Sequence, residues 1–166
     1  MTTVPHPLAT VPARSDRGLQ RRRRLRHART RIGLSVQTRL LPTVSANRRT
    51  RLHVCGAANT LTALGVRVHV RGPATPWPRA RVVVATGPIG PLGELAVATV
   101  LRGEPIRPAA HVPADATVCP LLVCYRLDGQ AGYLADDDVP RSSAEIAALR
   151  GLVVEVHLLS PVPPAA

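Results

Sequence analysis

The sequence has no Lys and no Phe, and its Trp and Tyr residues are limited to Trp77, Tyr125 and Tyr133. Proteins that bind single-stranded nucleic acid stack bases on aromatic side chains, so this composition disfavours a stacking platform. All 22 basic residues are Arg, a bias typical of GC-rich coding sequence. An Arg at a given position therefore does not by itself indicate selection of a guanidinium over an ammonium group.

Acidic residues are scarce in the first half of the chain. Residues 1–81 hold 17 Arg and one acid, Asp16, which gives +16, whereas residues 82–166 hold five Arg and nine acids, which gives −4. The first half would be attracted to a polyanion such as nucleic acid or anionic lipid headgroups. The densest part, RGLQRRRRLRHARTR at 17–31, has helical propensity. It is either a solvated arm or a basic patch on an anionic surface, and the patch would consist of Arg21, Arg22, Arg23, Arg24, Arg26, Arg29 and Arg31.

Cysteines and long apolar runs are also few. Cys55, Cys119 and Cys124 form no disulfide framework, and no second cysteine pair completes a zinc site, so we expect three small buried apolar side chains. No uncharged run reaches the roughly 18 residues that a membrane-spanning helix needs. Residues 1–15 are rich in Pro and Thr and lack an apolar signal core, so we expect disorder there and no secretory signal.

The apolar pattern predicts alternating strands and helices, and therefore an α/β fold. In VRVHVR at 66–71, the valines would point inward and Arg67, His69 and Arg71 outward. Pro120 indicates that the strand around it lies at a sheet edge. The strands are predicted at 66–71, 81–85, 118–126, 131–135 and 152–159, with 131–135 pairing back on 118–126 as a hairpin. The helices are predicted at 45–64, 94–101 and 143–150, the last with a capping box of Ser142 and Glu145.

The order of several phrases resembles the lysophospholipid acyltransferases of the 1-acylglycerol-3-phosphate acyltransferase type. An Arg-rich helix is followed by ALGVRVHVRG at 63–72 and VVVA at 82–85, and the chain closes with CPLLVCYRLDG, YLADDD and LRGLVVEVHLL. The resemblance covers about two thirds of the chain. It implies acyl transfer from acyl-CoA or acyl-carrier protein to a lysophospholipid at a membrane surface. It also implies a truncated glycerolipid acyltransferase fold at 45–162, preceded at 1–44 by a basic helical arm and a weakly amphipathic segment.

The catalytic pair of that family is missing from this sequence. The family places Asn-His-x4-Asp after the VVVA-like strand, where the His is the general base and the Asp orients it. Here Thr86 stands in place of the Asn, Gly87 in place of the His and Leu92 in place of the Asp, and no His-x4-acid occurs anywhere. The Phe-Pro-Glu-Gly-Thr-like loop of the family is also absent, and residues 102–117 bridge the gap that it leaves. We therefore expect no catalytic residues in this chain.

Three other arrangements carry weaker functional interpretations. His111 and Asp115 would share a face only on a helix, which Pro108 and Pro113 oppose. TGPIGPLG at 86–93 lies between a strand and a helix, as phosphate-binding loops do, but it lacks the Walker lysine and the Gly-x-Gly-x-x-Gly spacing. Asp136, Asp137 and Asp138 lack the spacing of a calcium loop, so a solvated turn is expected.

The sequence thus predicts a member of the acyltransferase family that has lost activity, and that lies at the inner, cytoplasmic face of a membrane. No cofactor or metal is expected, and acyl-CoA or acyl-carrier protein would be partners only of an active protein. The alternative is a binding module whose Arg-rich arm engages anionic lipid or, with less support, nucleic acid. A third interpretation is a decayed reading frame without a selected function.

Overall fold

The computed structural model of the chain describes residues 17–40, 45–73, 75–135 and 138–164, with backbone only at 31–40. The tail expected to be disordered at 1–15 lies outside these residues. The helices are α1 (Arg17–Leu40), α2 (Ala46–Leu64), α3 (Pro91–Val100) and α4 (Ser143–Ala148), with a short 3-10 helix at Ala109–His111. The strands are β1 (Arg67–Arg71), β2 (Val82–Ala85), β3 (Ile106–Arg107), β4 (Val118–Leu127) and β5 (Leu152–Leu158).

The five strands form one mixed sheet in the order β1-β5-β4-β2-β3. β1 runs parallel to β5, and β2 runs parallel to both β3 and β4, whereas β4 and β5 are antiparallel. Together with helices α1 to α4, this arrangement confirms the predicted α/β class at a coarse level.

β4 lies at the centre of the sheet, so the prediction that Pro120 marks an edge strand is wrong. A proline has no backbone N–H to donate to a neighbouring strand. In this sheet Pro120 lies just beyond the end of the β4–β5 ladder, where that hydrogen bond is not needed. The β4–β5 ladder stops at the pair Leu121 and Leu158, and the next contact beyond it is the bridge between Val118 and Val162. Pro120 falls between these two points, where its carbonyl oxygen still accepts a hydrogen bond from the Leu159 amide at 2.9 Å.

The predicted hairpin at 131–135 is also wrong, because this segment forms no strand. It lies beside the second half of β4, beyond the last β2 pair at Ala85 and Leu121. One ladder-like bond remains, from the Leu134 amide to the Tyr125 carbonyl at 2.7 Å. The antiparallel partner that completes β4 is β5, which is about 25 residues farther along the chain.

One face of the sheet is apolar and is covered by helices. Its side chains come from alternate positions of the central strands and pack against α2, α3 and α4, so the core lies between the sheet and a helical layer. The buried residues are Leu61, Leu64, Val66, Val83, Leu92, Ala96, Val97, Leu121, Tyr125, Leu127, Ile146, Ala147, Leu152, Val154 and Val156. Cys119 is likewise fully buried and Cys124 is half-buried, whereas Cys55 is exposed, contrary to expectation.

The ends of α2 and α4 follow local sequence signals. Gly65 ends α2 in the left-handed conformation, with φ of 73°, which glycine adopts without a steric penalty. Ser142 and Glu145 form the predicted capping box at the start of α4, with the Ser142 hydroxyl accepting from the Glu145 amide at 3.2 Å. α4 ends at Ala148, two residues before the predicted end.

α3 begins at Pro91, three residues earlier than predicted, and takes in the end of the expected Gly- and Pro-rich loop. Proline is favoured at the first helical position because its missing N–H has no partner there in any helix. α3 lies so close to the sheet at Gly93 that there is no room for a side chain at this position. A Cβ on Gly93 would lie 2.5 Å from the Tyr125 hydroxyl and 2.8 Å from a methyl carbon of Ile89.

Candidate functional site

The Arg-rich segment is helix α1, whose 24 residues include no acidic residue. Half-buried side chains recur with helical spacing on one stripe of α1, which faces the rest of the protein: Leu19, Gln20, Arg23, His27 and Thr30. Most of the predicted basic patch is exposed to solvent, and these residues are Arg21, Arg22, Arg24, Arg26 and Arg29. The side chain of Arg31 lies outside the described part of the chain.

Arg23, the remaining member of the patch, anchors α1 to the helical layer. Its Nη1 donates to the carbonyl of Leu149 at 2.5 Å and approaches that of Ala147 at 3.5 Å, both at the end of α4. The guanidinium also lies over Gly65, where a Cβ would come within 2.6 Å of it. Arg23 is therefore a cation at the C-terminal ends of two helices, where the helix dipoles favour positive charge. Burial, and then the charge of Arg150, lower the pKa of this guanidinium.

Gly87 and Leu92, the positions that the resemblance assigns to a catalytic pair, hold no group that moves a proton. Gly87 lies in the loop after β2 and has no side chain, and a Cβ there would lie 3.8 Å from a methyl group of Leu122. Leu92 is 2% exposed and belongs to the apolar core. The loop before α3 is fixed by Thr86, whose amide and hydroxyl both donate to the carbonyl of Leu121 at 2.9 Å.

The weaker candidates are not assembled into sites. His111 ends the short 3-10 helix, Asp115 lies in the following turn, and both side chains are exposed. Asp136 and Asp137 lie outside the described residues, so only Asp138 of the acidic turn is placed, and its side chain is exposed. Within the described ranges, no three or more His, Cys, Asp or Glu side chains lie together so that they could hold a metal ion.

The second face of the sheet, which we call the open face, carries a polar cluster centred on Glu155. Glu155 is in the middle of β5 and is 2% exposed, and it is the buried charged residue of the described core. Strand pairing places it between His69 on β1 and Cys124 on β4. Alternation puts Arg71 of β1, His157 of β5 and Arg126 of β4 on the same face.

The two oxygens of the Glu155 carboxylate have different partners. Oε1 accepts a hydrogen bond from Arg126 Nε at 2.6 Å and lies 3.8 Å from Arg71 Nη2 and 4.0 Å from His69 Nδ1. Oε2 accepts from the Tyr133 hydroxyl at 3.2 Å and lies 3.3 Å from His157 Nε2. One buried carboxylate therefore has two arginines, two histidines and a phenol around it.

Hydrogen bonding, more than burial, controls the ionisation of this cluster. The bond from Arg126 lowers the pKa of the Glu155 carboxyl, and the Tyr133 hydroxyl and the charge of Arg71 act in the same direction against the opposing effect of burial. Burial, and then the negative charge of Glu155, raise the pKa of Tyr133. The carboxylate is thus held ionised, and the phenol is held in its neutral, proton-donating form.

Sequence reasoning identified His69 and Arg71 as outward-facing but did not connect them with Glu155, His157, Arg126 or Tyr133. The search for a base required a His-x4-acid spacing, whereas here Glu155 and His157 are two residues apart on one strand. Two polar residues at alternate positions of the otherwise apolar LVVEVHLL were the available signal.

No family model, no curated protein and no solved structure matches this chain. Among the helices that the structure describes, none is both long enough and apolar enough to cross a membrane.

Proposed function

We propose that this chain is a non-catalytic protein, related to the lysophospholipid acyltransferases, that binds an anionic membrane surface through helix α1. The observation that carries the membrane part is the exposure of five arginines on a helix without acidic residues. Near an anionic membrane each such residue contributes about 1 kcal/mol at low salt, so several together give useful affinity.

The attachment of α1 to the helical layer supports this proposal. An unattached arm would lose much conformational entropy on binding, whereas a helix already held by Arg23 loses less. Arg23 would thus fix the helix while its exposed neighbours meet the headgroups. The scarcity of aromatic side chains makes nucleic acid the less favoured polyanion.

Sedimentation with lipid vesicles tests the membrane proposal. The protein should sediment with vesicles that contain phosphatidylserine at low salt and remain in the supernatant at high salt, because exposed charges are screened over a Debye length. Substituting Arg22, Arg26 and Arg29 with Gln should abolish most of the binding. A matched control replaces the exposed Arg79, Arg102 and Arg107, which lie away from α1, with Gln and changes the net charge equally.

Equal loss of binding in the two triple variants would contradict a site on α1 and would indicate attraction by net charge alone. Binding to uncharged phosphatidylcholine vesicles, unaffected by salt, would contradict the electrostatic account. Salt-sensitive binding to duplex DNA at concentrations where vesicles remain unbound would favour the nucleic-acid alternative.

The lack of catalysis has its own test, based on Gly87 and Leu92. Because a positioned general base contributes about 10²–10⁴ in rate, we expect no acylation of lysophosphatidic acid by acyl-CoA above the level of heat-denatured protein. Turnover above that level would contradict this part of the proposal. The variant His157→Gln would then show whether the open face carries the activity.

A further inference from the structure

The open face has more positive charge than its one buried carboxylate uses. Arg126 makes the short 2.6 Å bond to Glu155, and it also lies 3.4 Å from His69 Nδ1. Arg71 lies farther from the carboxylate, at 3.8 Å, and its side chain is 63% exposed. The Arg71 guanidinium is therefore accessible to a ligand from solvent, and a guanidinium carries five N–H donors.

The strand register brings the remaining cationic groups together. Arg71 is the direct cross-strand partner of His157, and His69 is the partner of Glu155 one position away on the same face. Cross-strand neighbours are about 5 Å apart. Arg71, His69 and His157 therefore border one position on the surface, above the buried Glu155 carboxylate that they approach at 3.8, 4.0 and 3.3 Å. The side chains of His69 and His157 are 42% and 24% exposed, which leaves each ring accessible from solvent.

A polar and an apolar group adjoin this position. The Tyr133 hydroxyl lies 3.5 Å from His157 Nε2, and the two rings meet edge to face with centroids 6.2 Å apart. Leu122 on β4 is the cross-strand partner of His157 and is 37% exposed. A ligand whose anionic group lies near Arg71 can therefore carry a small apolar substituent that contacts Leu122.

We propose that the open face binds the phosphate group of a small water-soluble molecule between Arg71, His69 and His157. Guanidinium groups bind phosphate through paired N–H donors, and imidazolium adds charge-assisted hydrogen bonds. The buried Glu155–Arg126 pair positions these groups. A soluble ligand is favoured over a lipid headgroup because α1 packs on the helical layer, on the other side of the sheet from this face.

Titration of the full chain with inorganic phosphate, and separately with phenyl phosphate, tests the site while NMR follows the imidazole signals of His69 and His157. We expect saturable shifts of both signals at constant ionic strength, and tighter binding of phenyl phosphate than of inorganic phosphate because of Leu122. Arg71→Gln should weaken binding at least about tenfold, because it removes the charged donors that pair with the phosphate oxygens.

The matched control is Arg79→Gln, which removes an equal charge from an exposed position away from the sheet. Equal weakening by Arg71→Gln and Arg79→Gln, or shifts that follow ionic strength without saturating, would overturn the proposal. So would imidazole shifts caused by phosphatidic acid vesicles but not by the soluble phosphates, because the source would then be a headgroup. Circular dichroism of each variant confirms that a lost signal is not a lost fold.

Discussion

The two faces of this sheet are built from the same strands but depend on different interactions. β5 contributes Val154 and Val156 to the covered face, and Glu155 and His157 to the open face. Apolar burial on the covered face depends on area and fit and has little directionality. On the open face the stability depends on whether one carboxylate meets its donors at hydrogen-bond distance. Substitutions on the two faces should therefore fail for different reasons.

The largest effect is expected on the open face, for Arg126→Met. Removing one partner of a buried ion pair costs about 3–5 kcal/mol, because the remaining charge stays buried. In this variant the Glu155 carboxylate still has the Arg71 guanidinium at 3.8 Å, which offsets part of the loss. We therefore expect the free energy of unfolding, measured by urea denaturation, to fall by about 3 kcal/mol.

Two further variants isolate the cause of that loss. Arg71→Met removes a more distant and mostly exposed cation, so it should cost less than about 1 kcal/mol. The double variant Arg126→Met with Glu155→Leu removes both charges and should recover most of the stability. If the double variant is no more stable than Arg126→Met, the buried charge is not the cause.

The second-largest loss of stability is expected at Arg23, which makes a directional charged contact on the covered side of the sheet. Arg23→Met removes the 2.5 Å bond to the Leu149 carbonyl, and hydrogen bonds to charged groups contribute about 1.5–3 kcal/mol. We expect a loss of about 2 kcal/mol and faster hydrogen exchange throughout α1. Arg22→Met, at the adjacent exposed position, should change stability by less than about 0.5 kcal/mol. Similar exchange rates in the two variants would show that Arg23 does not hold α1.

The third effect concerns fit alone, at Gly93 on the covered face. Gly93→Ala places a methyl group 2.5 Å from the Tyr125 hydroxyl, so α3 must move away from the sheet. Overpacking of this kind costs about 1–3 kcal/mol, and we expect about 1–2 because alanine also favours the helix. Gly132→Ala is the control, since nothing lies within 4 Å of its Cβ. A stabilised Gly93→Ala variant would mean that α3 has room to shift.

The elements of the covered face are easier to predict from the sequence than the polar cluster of the open face. Valine-rich β1, β2 and β5 and the capping box of α4 are local signals, and all four were predicted close to their observed limits. The docking of α1 was missed because the stripe that faces the protein is mostly polar, with Leu19 as its one apolar side chain among residues 17–30 beside Gln20, Arg23, His27 and Thr30. An apolar period therefore could not reveal it.

The polar cluster was missed because it depends on register between strands far apart in sequence. His69, Arg126 and Glu155 become neighbours only when β5 is inserted between β1 and β4. The same insertion places Pro120 in a central strand, against its usual preference for edges. Residue patterns within one segment contain no information on either arrangement. The assignment of Gly87 and Leu92 to the positions of a catalytic pair stays a prediction from resemblance.

The smallest effect is the pH dependence of stability that Glu155 contributes, and its direction follows from the hydrogen bond of Arg126. Because that bond lowers the pKa of Glu155 in the folded protein, the stabilisation is fully present above the pKa of an unfolded glutamate. It is lost as the pH falls from that value through the lower pKa of the folded state. One proton changes the free energy of unfolding by at most about 1.4 kcal/mol per pH unit. The free energy of unfolding of Glu155→Gln, measured by urea denaturation at each pH, should therefore depend less steeply on pH in the acid range.

Carboxyl groups elsewhere, such as Asp128 and Glu145, titrate in both proteins, so their contributions cancel in the difference between the two curves. If the curves of the two proteins are parallel below pH 5, the ionisation of Glu155 is not coupled to folding, and the open face does not depend on the charge at its centre.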